Sequence, residues 1–213
     1  GTTTTNLGLH IGYRNSNVLT IDFWGNGVNV TVDPDTLWHQ YTFVYDAVTK
    51  TRRIYMDGEN IYEYTNAARE HYLGTGETNI GRYLYGGYFN GDIDEVRIWH
   101  AALNDDQVAE MAFRTIDSTY INDEIPGLHW DSLYVNYRFD QGEPAQNNSG
   151  VTTVTDLSGN QHSGLLTNML LSGNNSNWID SEAGIGVKSV RTTNILASFA
   201  TLYSQVTGKW YSE

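Results

Sequence analysis

The chain has 213 residues, with 25 Asp and Glu against 12 Lys and Arg, a formal net charge of −13, and no cysteine. That charge repels nucleic-acid phosphates and anionic lipid, which argues against both as partners. The lack of cysteine removes zinc-thiolate sites, thiol nucleophiles and disulfides. Charged residues reach only 17% while aromatics reach 13%, with 15 Tyr and 21 Gly, a balance that points to an all-β protein with polar, uncharged surfaces.

In chain order, residues 7–13 (LGLHIGY) and 17–24 (NVLTIDFW) read as strands joined by a turn at 14–16. Turn residues follow at Gly25, Asn26 and Gly27 and again at Asp33, Pro34 and Asp35. Residues 38–46 (WHQYTFVYD) form a strand. Trp38, Gln40, Thr42 and Val44 lie on one face, and His39, Tyr41, Phe43 and Tyr45 on the other. Its partner is 52–58 (RRIYMDG), followed by ENIYEYT; the Asp57-Gly58 pair between them is a two-residue hairpin turn that requires positive φ.

Short strands at 79–82 and 88–90 flank Gly86 and Gly87. Residues 91–99 read as one long strand on which Asp92, Asp94 and Val96 share a face, while Glu95 and Arg97 face the other way and can pair. One short helix follows. Asn104, Asp105 and Asp106 supply an N-cap and first-turn acids, Leu103, Val108, Met111 and Ala112 supply an apolar stripe, and the helix ends near Arg114. Residues 115–127 read as a linker, 132–140 as a strand, 141–150 as a polar loop, and 151–170 as strand, Gly/Asn loop and strand. The segment SGNNSNWID closes that block, and the tail from Ala183 has β character. Short, regularly spaced strands with a single helix predict an antiparallel sandwich.

Several of these segments together resemble a known family. They are W-H-x-x-x-x-x-Y-D at 38–46, I-Y-M-D-G at 54–58, N-I-G-R at 79–82 and F-N-G-D-I-D-E-V-R-I-W-H-A-A-L at 89–103. In wording, order and spacing they are similar to the laminin-G-like, concanavalin A-like jelly-roll domains of Bacteroidetes-type secreted surface proteins. The likeness covers residues 7–113. A second block, Y-V-N-Y-R-F-D-Q-G at 134–142 and T-D-L-S-G-N-Q-H-S-G-L-L-T-N-M at 155–169, resembles the opening of such a module, but comes after its end. The expected division is therefore 1–114 as a laminin-G-like sandwich lacking its N-terminal part, 115–127 as linker, 128–182 as a β segment resembling a module opening, and 183–213 as a β-rich tail. Either the chain straddles two modules, which is favoured, or it is the back of one module completed by a permuted front. In either case an open sheet edge needs a covering strand.

The resemblance also implies what to look for chemically. Laminarinase-like members of the fold carry E-x-D-x-E on one strand, and retaining hydrolysis needs two carboxylates about 5 Å apart across the sugar bond. Here the third acid is missing and the first is an aspartate, so no catalytic residue is expected. His10, His39, His71, His100, His129 and His162 have no paired metal spacing, and His39 matches a structural position of the family. Calcium is the cofactor the resemblance implies. The loop of Asp156 and Asn160 offers oxygen ligands, and the opening strand would bring Asp94 near it. The competing reading, a side-chain-capped turn, stays open. Trp24, Tyr83, Tyr85 and Tyr88 are candidates for stacking on a sugar face.

The sequence thus predicts a non-catalytic extracellular, cell-surface module for adhesion, with a glycan or protein partner and possible contact with neighbouring modules. A carbohydrate-active enzyme (or its ancillary domain) and a filament spacer are the alternatives. No apolar run approaches the roughly 20 residues that cross a bilayer, so membrane insertion is not expected. Residues 1–8 lack the basic and apolar regions of a signal, so secretion would need a leader already removed or outside this sequence.

Overall fold

The computed structural model describes residues 4–15, 17–33, 35–68, 71–83, 87–89, 91–172, 177–180, 188–192 and 202–206. Strands β1 (His10–Asn15), β2 (Val18–Asp22) and β3 (Val28–Thr31) form an antiparallel three-stranded sheet. β4 (Tyr41–Asp46), β5 (Thr51–Met56) and β6 (Glu59–Thr65) form an antiparallel meander. Asp57 and Gly58 join β5 to β6 at φ +56 and +87, the left-handed pair this turn requires.

β7 (Arg82–Tyr83) and β8 (Gly87–Tyr88) make a small ladder in which Arg82 stands opposite Tyr88. β9 (Gly91–Ile93) and β10 (Val96–Trp99) follow, then α1 (Asp105–Met111) and α2 (Ser118–Glu124). After these come β11 (Leu133–Tyr137), β12 (Thr153–Val154), β13 (Gly164–Leu165), β14 (Trp178–Asp180), β15 (Lys188–Thr192) and β16 (Leu202–Val206).

The main sheet runs β11-β10-β16-β4-β5-β6. β16 is parallel to both its neighbours, and the other pairings of this sheet are antiparallel. A second sheet runs β14-β15-β9. One core lies between the main sheet and β1–β3. Tyr41, Phe43, Tyr45, Ile54, Val96 and Ile98 point inward from the main sheet, to meet Ile11, Leu19, Ile21, Phe23 and Val28. The opposite face of the main sheet supplies Val44, Tyr55, Trp99 and Leu133, covered by Leu103, Val108 and Met111 from α1 and its entry, and by Ile121, Ile125 and Leu128 from α2 and its exit. Of the strand expected over 38–46, only Tyr41–Asp46 forms, and within it the expected alternation holds, with Tyr41, Phe43 and Tyr45 on one face and Val44 on the other.

Three expectations are corrected. The segment read as a linker holds α2, capped by the Asp117 carboxylate, which accepts from Tyr120 N. Its Ile121 is fully buried, and that burial stabilises a helix too short to persist alone. There are accordingly two short α-helices among the described residues rather than one. The continuous strand expected over 91–99 breaks at Asp94 and Glu95, with Glu95 at φ +49. A left-handed residue acts as a bulge and shifts the alternation by one place. Ile93, Val96 and Ile98 therefore all enter the same core, which uninterrupted alternation would forbid, and Val96 does not share an open polar face with Asp92 and Asp94.

β11, from the segment resembling a module opening, pairs with β10 with Val96 opposite Tyr137 and Ile98 opposite Val135. Val135, Tyr137, Phe139, Val154 and Trp178 belong to the same buried cluster as the N-terminal strands.

Candidate functional site

A cavity of about 580 Å³ opens beside β10 and β11. Its inner wall is core side chains, among them Ile93, Ile98, Val135, Phe139 and Val154. One flank is the approach to β7, with Thr78, Ile80 and Arg82; the other is the segment from His162 to Met169. β12 holds that second flank in place by pairing Val154 with Gly164 and Thr153 with Leu165. Gly164 has no side chain because a Cβ there would lie 2.9 Å from the Val154 methyl.

Tyr88 stands at the rim, half-buried. Its hydroxyl oxygen accepts from Asn168 Nδ2 at 3.1 Å. Arg82, directly opposite on the β7–β8 ladder, is exposed and lines the same cavity. Tyr134 lies between two imidazoles, stacked on His100 at 4.4 Å between ring centroids and tilted against His162 at 4.2 Å. Burial, and then the neighbouring charge of His162, push the His100 pKa down. The Tyr137 hydroxyl donates to the His162 carbonyl; burial, and then the Asp156 charge, push it up to about 12.

The acids of 91–99 point elsewhere. Asp94 is 3% exposed and its carboxylate accepts from Glu95 N. Glu95 accepts from Arg97 Nη2 at 2.6 Å and from Arg138 Nε at 3.1 Å, with the Glu95 and Arg97 side chains 1% and 0% exposed. The pairing of Glu95 with Arg97 expected from sequence is present.

At the expected calcium loop, Asp156 Oδ1 accepts from Asn136 N and Ser158 N, and Oδ2 accepts from Ser158 Oγ and His162 N. Burial alone would raise the Asp156 pKa, but the N–H donors of Asn136, Ser158 and His162 outweigh it and hold the carboxyl below the usual range. Asn160 Nδ2 donates to the carbonyls of Leu133 and Tyr134. A calcium ion needs about six to eight oxygen ligands with free lone pairs, and both Asp156 oxygens are already engaged by donors, so these residues as they stand do not fit calcium. Among the described residues no group of three or more His, Asp or Glu is placed to hold a metal ion.

Of the expected stacking residues, Tyr88 lines the cavity. Trp24 is half-buried at φ +61, next to the Gly25 turn. Tyr85 and the side chain of Tyr83 lie outside the described residues. Sequence reasoning missed Arg82, His162 and Asn168. Arg82 could have been found from the hairpin register around Gly86 and Gly87, whereas His162 and Asn168 arrive only through the pairing of β12 with β13.

No helix among the described residues is long and apolar enough to cross a membrane. Neither a curated protein nor a solved structure matches the chain. A laminin-G-type family profile, described as the concanavalin A-like lectin/glucanases superfamily, matches residues 1–109. The mostly antiparallel sandwich agrees with it, and with more than half of its residues matched the chain belongs to the laminin-G-like group of the concanavalin A-like lectin/glucanase superfamily.

Proposed function

We propose that the chain is a non-catalytic, extracellular adhesion module of a secreted cell-surface protein, and that it holds its partner at the cavity beside β10 and β11. Membership of the family supports a carbohydrate- or protein-binding role in general. One observation carries the non-catalytic reading. The described residues lining the cavity include no carboxylate, whereas Asp94 and Glu95, between β9 and β10, are buried and engaged. Glycoside hydrolysis needs two carboxyl groups flanking the bond to be cut.

The test is a combined glycan and peptide array, read with and without calcium, on the wild type and on Tyr88→Ala. Binding that Tyr88→Ala weakens at least tenfold is the expected result. An array without hits would favour a spacer role. Hydrolysis of β-glucan that disappears in Asp94→Asn would establish an enzyme instead.

A further inference from the structure

We propose that the cavity recognises the carboxyl-terminal end of a partner polypeptide, with the terminal carboxylate held by Arg82 and Tyr88 and a large apolar side chain inserted against the inner wall. The inference rests on the reading of this cavity as the partner site, and it names which of the family's two ligand classes enters it.

Charge favours an anionic ligand at this cavity. In a chain of net charge −13, the described lining holds Arg82 and His162 and neither Asp nor Glu. Arg82 is exposed, and its side chain makes no ion pair or hydrogen bond among the described residues. It stands opposite Tyr88, and directly opposed residues on a ladder share one face about 5 Å apart. Because Asn168 donates to the Tyr88 oxygen, the Tyr88 proton remains to be donated outward. A guanidinium and a hydroxyl on one face make a two-point site for a carboxylate.

Polarity favours a peptide over a sugar. A sugar carries hydroxyls on every side, and each one buried without a partner is costly. Here the inner wall of Ile93, Ile98, Val135, Phe139 and Val154 offers none. Polar groups nearby are engaged within the protein: Tyr137 donates to the His162 carbonyl, and the Asn177 carboxamide accepts from Leu170 N. An apolar side chain suits that wall, and a last residue carries its side chain and its carboxylate on one Cα. The exposed hydroxyls of Thr78 and Thr167 remain for the peptide backbone.

The experiment uses the full chain on an array of short peptides tethered by their N-termini, with the last residue varied and each present with a free carboxylate and as the amide. Expected are hits concentrated on large apolar last residues, weakened about tenfold or more by amidation and by Arg82→Gln, and a smaller loss in Tyr88→Phe, as for hydrogen bonds to a charged group. Arg82 is exposed, so the variant should fold; an unchanged near-ultraviolet circular dichroism spectrum checks this. Equal binding of acid and amide, or indifference to Arg82→Gln, overturns the proposal. If peptides fail but glycan binding is lost in Tyr88→Ala, the inference falls and the cavity remains the partner site. If neither ligand class binds, both readings fall.

Discussion

Two histidines give the fold opposite dependences on pH. His39 Nδ1 lies 2.7 Å from Asp57 Oδ2, and Nε2 lies 3.0 Å from Asp35 Oδ1. Burial would lower its pKa, but the hydrogen bonds to Asp57 and Asp35 outweigh this and raise it. Its contribution is fully present below the unfolded value of about 6.5 and is lost as pH rises through the raised folded value. His10 is the reverse: burial, then the charge of Arg14, lower it to about 4. Its contribution is present above about pH 6.5 and is lost as pH falls towards the folded value. Urea midpoints across pH should fall on both sides, with His39→Gln flattening the alkaline limb and His10→Gln the acid one; unchanged slopes would refute the assignment. The buried pair of Glu95 and Arg97 is a separate case. Glu95→Gln removes from a buried site the carboxylate charge that Arg97 and Arg138 both donate to, at a cost of about 3–5 kcal/mol, measurable by urea denaturation.

At the scale of elements, close approach decides what the loops tolerate. A Cβ on Gly142 would lie 2.0 Å from the ring carbon Cδ2 of Trp178, and Trp178 is only 1% exposed. Gly142→Ala must displace that indole, so we expect a loss of about 1–3 kcal/mol, the usual cost of overpacking. A thermal midpoint equal to wild type would show that the indole can move freely. The loop that carries Gly142 read only as polar and irregular, because nothing local indicates that a tryptophan 36 positions later will lie on it. By contrast the β5–β6 hairpin was legible, since Asp57 and Gly58 adopt the positive φ their residue types favour. The break at Asp94 and Glu95 was not, because glutamate carries no local preference for a left-handed backbone.

At the scale of the molecule, the two sequence blocks share one core. Val135, Tyr137 and Phe139 pack in the same cluster as Phe43 and Ile54. We therefore expect the described strands from both blocks to unfold together. Phe139→Ala, at a 5% exposed position, should remove about 3–5 kcal/mol and shift a single transition seen by both tryptophan fluorescence and far-ultraviolet circular dichroism. Two transitions, with only one displaced, would establish two independent modules.

The sequence by itself determined the class of fold, the alternating faces of β4, the hairpin at Asp57 and the capped start of α1. Each of these rests on neighbouring residues whose periodicity or turn chemistry acts locally. Only the tertiary structure decided that Asp94 and Glu95 are buried, that Asp156 gathers four donors, and that Arg82, Tyr88 and Asn168 surround one cavity. These depend on contacts between residues far apart in the chain, such as the Asn168–Tyr88 hydrogen bond across 80 positions, and no local preference of either partner encodes which segments will meet.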